Sequence, residues 1–427
     1  MNYLEITSSP LLAEIIKAYR LTYTEVIVFW EKKLENWIDG IRSKNALPLR
    51  LELWNGRQYD LGSGAPQVTV RVPGISSLSY LLKPTLDNLG TAYVEGKLEI
   101  KGKLNEMIAL ANALAASSMP EERPSRLKHF FRHTKEIDSE SIRHHYDVSN
   151  EFYQQWLDPN MVYSCAYFEN GDEDLATAQI KKIDHILTKI QVQPGNRLLD
   201  IGCGWGALVL RAAEKFGARC IGITLSERQY ELARERVSQA GLSDRVEIRL
   251  EDYRDVKGNF ERITSVGMFE HVGLPHLAEY FTKMRSLLAD DGIAMNHGIT
   301  STDPESGETP FGGGQFIHKY VFPHGELPHI GLVLKTMQEG GLEALDIENL
   351  RHHYARTCSM WAENFENNTD KIQTLTDDKH YRIWRIYLAG CAYAFALDRM
   401  ALFQVVCVKK GLTSPLLPMS RRYMYSA

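Results

Sequence analysis

The sequence has no apolar run long enough to cross a bilayer: stretches such as Met107 to Ala116 fall well short of the ~18 residues a membrane helix needs. Nor does it open on a basic start followed by an apolar core, so no signal peptide is expected and any lipid contact must be peripheral. The six cysteines, Cys165, Cys203, Cys220, Cys358, Cys391 and Cys407, form no CxxC pair and no short secreted-type framework. That excludes a disulfide scaffold and suits reduced thiols in the cytoplasm. No HExxH spacing occurs, and neighbouring pairs such as His144-His145 and His352-His353 would face opposite sides of a strand, which argues against a metal centre. Internal repeats and low-complexity tracts are also lacking. Basic residues are in no excess, the net charge being -5, so bulk attraction to nucleic acid is excluded and only a local basic patch could attract an anionic surface.

With 44% hydrophobic and 24% charged residues, the 427-residue chain reads as globular and long enough for two cores. Residues 1 to about 45 carry helical periodicity. A β-rich stretch follows, with Leu49, Leu51 and Leu53, then Val68, Val70 and Val72, alternating with polar residues at the two-residue period of half-buried strands. The segment RPSRLKHFFRHTK (123–135) carries five Lys or Arg and no acid, with Leu127, Phe130 and Phe131 interleaved. From residue 140 onward, strands alternate with amphipathic helices, the pattern of a parallel sheet covered on both faces. The expected organisation is an N-terminal α+β domain over 1–120, a basic linker over 121–139 and an α/β domain over 140–427. Strands are expected at 197–201, 218–223, 246–250, 262–268, 292–297 and 401–408.

The first of these strands ends in Asp200 and runs into Gly202, Gly204 and Gly206, after which a helix opens at Ala207. Glycines let the backbone approach a ligand, and a helix start offers unpaired N–H groups. The spacing is GxGxG and not the GxGxxG of dinucleotide folds. The second strand ends in Thr224-Leu225-Ser226 without an acidic ribose clamp, and the third ends in Glu251-Asp252-Tyr253. This combination resembles the class I S-adenosylmethionine methyltransferase fold, a Rossmann-like doubly wound seven-stranded sheet of order 3-2-1-4-5-7-6.

Further runs narrow the resemblance: HYDVSNEFY (145–153), MVYSCAYF (161–168), LLDIGCGWG (198–206), GITLSERQ (222–229), SVGMFEHVG (265–273), FIHKYVFP (316–323) and GCAYAF (390–395). Together they resemble the cyclopropane-fatty-acyl-phospholipid synthase family, which includes the mycolic acid cyclopropane and methyl-branching enzymes, over residues 140 to 410. Residues 1–120 resemble the sterol-carrier-like domain of its longer members only loosely, which leaves them a lipid-binding or homodimerising role. The resemblance implies S-adenosylmethionine as cofactor, with Tyr163 and Ser164 at its methionine end, Gly202 and Gly204 along its middle, and Thr224, Leu225, Gln229 and Asp252 around ribose and adenine. It also implies a bicarbonate site formed by Cys165, Glu270, His297, the backbone at Ile299, and Tyr354. Cys391 matches a second cysteine of the family near the acyl pocket. Partners so implied are unsaturated phospholipid acyl chains at the inner face of the cytoplasmic membrane, reached by the basic segment.

Chemistry of this class needs no base to activate its nucleophile, because a carbon–carbon double bond has no acidic proton and only has to be aligned with the sulfonium methyl. The resulting carbocation must be kept from water and must lose one proton. Aromatic faces suited to the cation are Tyr167, Phe168, Phe269, Phe316, Tyr320, Trp361 and Tyr393. His297, Tyr354, the Cys165 thiol and the backbone at Ile299 can donate to a bound bicarbonate, while Glu270 beside an anion is expected to have a raised pKa. The expected product is a cyclopropane. Deprotonation elsewhere would give a methylene or methyl-branched chain, and a small-molecule methyltransferase with a general base stays open as well.

Overall fold

The computed structural model describes residues 23–118, 148–305, 313–323 and 325–425. The first of its two compact units gathers the described residues up to Ser118 with 313–317 and Arg382–Gly390; the second holds the rest. The expected linker over 121–139, the basic segment 123–135 within it, and residues 1–22 lie outside the described residues.

The first unit carries helices α1 (Tyr23–Lys44), α2 (Leu78–Leu82), α3 (Leu86–Val94) and α4 (Leu104–Ser118). Its sheet has strands β1 (Leu49–Leu53), β2 (Gln58–Asp60), β3 (Val68–Val72) and β4 (Glu99–Lys101) in the order β2-β1-β3-β4. The two expected strands are present, with their Leu and Val positions buried and the intervening residues partly or fully exposed. Strands β2 and β4, of three residues each, are too short to carry a readable alternation. Where residues 140–427 were expected to form one domain, two stretches of that range pack in this first unit. The Phe316 N–H donates to Asp87 at 2.8 Å, and the Phe316 ring fills the space where Gly90 lacks a Cβ. Arg382 donates to the Tyr93 carbonyl at 2.9 Å and Arg385 to the Tyr93 hydroxyl at 3.0 Å.

The second unit is α/β. Its sheet has strands β5 (Arg197–Ile201), β6 (Arg219–Thr224), β7 (Val246–Leu250), β8 (Phe260–Val266), β9 (Leu288–Ser301), β10 (Leu342–Asn349) and β11 (Met400–Lys409). Helices α5 (Asn150–Tyr153), α6 (Leu175–Lys189), α7 (Ala207–Phe216), α8 (Glu227–Gln239), α9 (Leu277–Leu287), α10 (Gly314–Tyr320), α11 (Ile330–Glu339), α12 (Arg351–Asn367), α13 (Thr369–Leu375) and α14 (Asp378–Ala396) complete the chain, α10 and α14 each running from one unit into the other. The strand order β10-β11-β9-β8-β5-β6-β7 is the expected 3-2-1-4-5-7-6 read from the other edge. Neighbours from β7 to β9 are parallel, and β11 inserts antiparallel between β9 and β10. Apolar clusters cover both faces of the sheet, one beneath α6 to α8 and the other beneath α9 and α11.

Strand β10 was not anticipated. Its alternation is inverted: Leu345 and Ile347 are exposed while Asp346 is buried, and a register shift falls between Ala344 and Asp346. An acid on the covered side of an edge strand hides the two-residue apolar period.

Gly298, on β9 between His297 and Ile299, fixes how closely the sheet meets the short helical turn Phe269–His271. A Cβ there would lie 1.7 Å from Cε1 of Phe269. Gly298→Ala is therefore expected to cost about 1–3 kcal/mol of stability through overpacking and to displace the turn that carries Glu270. Urea unfolding checks this, and a midpoint equal to that of the parent protein would remove the constraint.

Candidate active site

Where the strand order of an open parallel sheet reverses, a crevice is left at the carboxyl ends of the strands, and a cleft opens there beyond β5, β6, β7 and β8. Its floor is the turn after β5. Gly202, Gly204 and Gly206 have φ of 82°, 55° and 84°, all in the left-handed region, and a Cβ on Gly204 would meet nothing within 4 Å. The backbone is thus bare toward the cleft, and the α7 start faces it. All eight residues expected to hold the cofactor, Tyr163, Ser164, Gly202, Gly204, Thr224, Leu225, Gln229 and Asp252, line this one cleft. The Thr224 hydroxyl donates to the Gln229 amide oxygen at 2.8 Å, and Ser226 caps α8, which sets both at the end of β6. Both Asp252 oxygens accept from the Arg254 guanidinium at 2.7 and 2.8 Å.

Tyr163 and Ser164 lie on an irregular segment that α6 pins from below. Asp158 accepts from the N–H groups of Asn160 and Val162, Gln179 donates to the carbonyls of Val162 and Ser164, and Lys182 donates to the Ser164 hydroxyl at 2.8 Å. Lys182 is fully buried and lines the cleft. Burial lowers its pKa to about 8, against the opposing pull of the Cys165, Asp158 and Asp200 environment. Neither Lys182 nor Gln179 was expected as a site residue. Their spacing in the sequence is that of any amphipathic helix, and only the docking of the 158–164 segment aims them at the cleft.

Next to the cleft, Glu270 and His297 stand at the ends of neighbouring chain segments after β8 and on β9. The Ile299 N–H donates to Glu270 Oε1 at 2.7 Å, while Glu270 Oε2 and His297 Nε2 are buried with no hydrogen-bond partner. Burial raises the Glu270 pKa to about 7, the Ile299 N–H working against that rise. The Ile299 N–H is thus taken up by the Glu270 carboxyl. The His297 pKa is driven well down by burial and by the Lys182 and Lys189 charges. Buried polar atoms without partners are rare and mark a place where a small polar ligand would be satisfied.

Cys165 and Tyr354 form a second group. The Cys165 thiol donates to the Ala166 carbonyl at 3.2 Å and is held protonated by burial. Tyr354, on α12, is buried and held protonated, with Cys358, Tyr163, Cys165 and Cys391 as its charged-state neighbours. Cys391, which the resemblance placed near an acyl pocket, is among the groups whose charge would act on Tyr354. The Lys182 charge acts on both Cys165 and His297; among the described residues no direct hydrogen bond joins the pair Glu270–His297 to the pair Cys165–Tyr354.

Aromatic rings extend from the cleft along this second group. Tyr163 lies 5.2 Å from Trp361, Trp361 5.9 Å from Tyr354, and Tyr354 4.5 Å from Phe395. Of the seven aromatic residues singled out from the sequence, Trp361 stands in this wall. Tyr167 is sandwiched between His185 and His353, Phe168 lies under Arg356, and Phe269 packs on Gly298. Phe316 belongs to the other unit, and Tyr320 lies beneath Lys319 and Lys379.

Residues 133–405 match the family described as mycolic acid cyclopropane synthetase, and residues 37–123 match a domain of unknown function. A probable fatty acid methyltransferase of Pseudomonas putida is 47% identical over 368 residues, spanning 85% of this chain and 92% of that protein. The cyclopropane-fatty-acyl-phospholipid synthase of Escherichia coli is 38% identical over 264 residues, 62% of this chain and 66% of that protein. Among solved structures, a cyclopropane synthase from Mycobacterium tuberculosis superposes with a TM-score of 0.60 at 32% identity, covering 64% of this chain and 98% of that one. A mycolic acid cyclopropane synthase complexed with SAH and CTAB matches with a TM-score of 0.60 at 33% identity, with the same coverage.

The raised pKa of Glu270 has a stability consequence. The folded protein holds a proton that the unfolded chain releases, so the contribution is complete below the usual value of 4.5 and is lost as pH rises through about 7. Glu270→Gln has no proton to lose. Relative to it, the parent protein is expected to lose up to ~3 kcal/mol between about pH 4 and pH 8. Urea titrations across this range would show parallel profiles if Glu270 were an ordinary carboxylate.

Proposed function

The chain belongs to the mycolic acid cyclopropane synthetase family and is an S-adenosylmethionine-dependent methyltransferase, and on that premise we propose that it adds a methylene group across the cis double bond of an unsaturated phospholipid acyl chain, closing a cyclopropane. The observation that carries the reading is the pair of buried, unpartnered atoms, Glu270 Oε2 and His297 Nε2, beside a glycine-floored cleft. Bound in that cleft, S-adenosylmethionine supplies a methyl group on a sulfonium. Bicarbonate beside Glu270 and His297 would supply a base for the proton loss, Cys165 and Tyr354 being held protonated by burial.

The residues fit both groups. Gly202 and Gly204 leave room for the backbone to approach the cofactor, Ser164 and Lys182 stand at one end, and Gln229 and Asp252 at the other. The protonated form of Glu270, fixed through Oε1 by Ile299, would have an O–H on Oε2 to offer an anion, and His297 Nε2 is likewise buried without a partner. Tyr354, on α12, has a protonated hydroxyl to offer, while the Cys165 S–H is taken up by the Ala166 carbonyl. Tyr163, Trp361, Tyr354 and Phe395 present ring faces to an acyl chain made cationic by methyl gain, and exclude the water that would convert it to an alcohol. A phospholipid substrate calls for contact with a bilayer surface, and no described helix is long and apolar enough to cross one. The basic, aromatic segment 123–135 supplies that contact in this reading, at about 1 kcal/mol per cation near anionic lipid.

A second reading keeps the methyl transfer and changes the product. The Pseudomonas putida relative is named a probable fatty acid methyltransferase; loss of a proton from the adjacent chain carbon would give a methyl-branched alkene in place of the ring, and a hydride shift followed by loss of a methyl proton would give a methylene chain. Incubation of the purified protein with labelled S-adenosylmethionine and monounsaturated phospholipid vesicles, with and without bicarbonate, separates these outcomes by mass spectrometry of the acyl products. The expected result is a cyclopropane formed only with bicarbonate present. Glu270→Gln should bind the cofactor normally and lose about 100-fold or more in turnover. Turnover near that of the parent under saturating cofactor, or a rate indifferent to bicarbonate, would overturn the assignment of the base.

A further inference from the structure

Three neighbouring strands carry three polar side chains in one row. In the antiparallel register of β9 with β11, His297 stands opposite Gln404; in that of β11 with β10, Gln404 stands opposite Glu348. Directly paired residues of a sheet project to the same face, so His297, Gln404 and Glu348 form a line across it. From α6, Lys189 reaches into this line with its side chain wholly buried. Its ammonium donates to Gln404 Oε1 at 2.9 Å and also to Glu348, while His185 Nε2 contacts the same carboxylate at 2.9 Å. Although burial opposes it, the hydrogen bond from His185 and the charge of Lys189 hold the Glu348 carboxyl down to about 2, so this end of the line is a fixed ion pair.

We infer that Lys189 and Gln404 are positioning residues that lock His297 in its Nε2–H tautomer, making its buried, unpartnered nitrogen a neutral hydrogen-bond donor. The argument is a matter of donor and acceptor counting. An ammonium has only donors, so the oxygen of the Gln404 amide must face Lys189. Its NH2 group is then turned to His297 Nδ1, 3.2 Å away, and has only donors to offer. Nδ1 must accept, and the one proton of a neutral imidazole is left for Nε2. A second proton on Nδ1 would oppose the amide N–H groups directly and add a cation next to Lys182 and Lys189 in a dry interior. Nε2, the atom with no protein partner, is therefore an N–H.

This deepens the reading given under Proposed function and rests on it for what that N–H meets: a donor suits the oxygen of a bound bicarbonate and would repel a cation. The tautomer itself follows from the side chains alone. His297 accordingly orients the anion and takes no proton in the reaction, since its accepting nitrogen is covered by Gln404.

Two-bond proton–nitrogen NMR spectra of the full-length protein labelled in histidine, with the His297 signals identified by their loss in His297→Asn, read the tautomer directly. The parent protein is expected to show a protonated Nε2 and a bare Nδ1. Gln404→Met keeps the volume and removes both hydrogen bonds. It should give mixed tautomers and raise the bicarbonate concentration for half-maximal turnover by about 10- to 100-fold, the scale on which partners that orient a functional imidazole act, with cofactor affinity within about twofold by calorimetry. Gln404→Glu offers Nδ1 an acceptor and should move the proton there. A protonated Nδ1 in the parent protein overturns the inference, as does a Gln404→Met variant with the parent's tautomer and bicarbonate requirement. Should the parent show the expected tautomer but turn over independently of bicarbonate, the tautomer stands and the anion falls; the converse result sinks the tautomer and leaves the anion. If neither variant folds, the spectrum of the parent still decides.

Discussion

The second unit is organised around the cost of taking charge out of water. Lys182, Lys189, Glu270 and His297 are all buried on the sheet or against it, and an isolated buried charge is tolerated only with close partners or with its proton state changed. Each residue meets that condition differently. Lys189 is placed between Glu348, Asp346 and Gln404 and forms ion pairs. Lys182 has a hydroxyl for its direct partner and a lowered pKa, and Glu270 is driven toward its neutral form. The geometry around Glu270 and His297 follows from these separate solutions. Glu270 Oε2 and His297 Nε2 are left without partners, as are Thr300 Oγ1, Ser265 Oγ and Gln179 Oε1.

That arrangement also links the cleft to His297. Lys182 donates to Ser164 in the cofactor cleft, and its charge acts on Cys165 and on His297. Helix α6 supplies Gln179, Lys182, His185 and Lys189 from successive turns of one face, and its N-terminus is capped by Asp174. A single amphipathic helix thus supports the Tyr163–Ser164 segment at one end and the His297–Gln404–Glu348 row at the other. Close approach of backbone does the rest: Gly298 admits the Phe269 ring, and the ring's own turn delivers Glu270 to Ile299.

Much of this was legible in the sequence where a local rule sufficed. Strands β5 and β7 fall where the apolar runs predict them, and β6, β8, β9 and β11 differ from expectation only at their ends. The glycine turn, with positive φ at all three expected glycines, follows from residue type. The eight residues expected to hold the cofactor were named from the family resemblance; six of them sit within a few positions of a strand end, where the parallel sheet leaves its crevice, while Tyr163 and Ser164 lie on an irregular segment. Strand β10 escaped notice because its buried side carries Asp346 and its exposed side Leu345 and Ile347, the reverse of the usual pattern. Gln179, Lys182, Lys189 and Gln404 escaped as well, since a polar residue on a helix or strand looks solvent-facing until the partner that buries it is known.

The amino-acid sequence by itself determined the α/β alternation, the order of turn and helix after β5, and the identity of the groups able to meet a sulfonium cofactor, because these depend on neighbours within one strand-turn-helix. Only the tertiary structure decided which polar groups are dry, which of their atoms stay unpaired, and that Phe316 and Arg382 pack with the N-terminal unit. The physical reason is that desolvation and hydrogen-bond pairing are set by residues far apart in the chain. His297, Gln404, Glu348 and Lys189 become one row only when β9, β11 and β10 lie side by side with α6 across them.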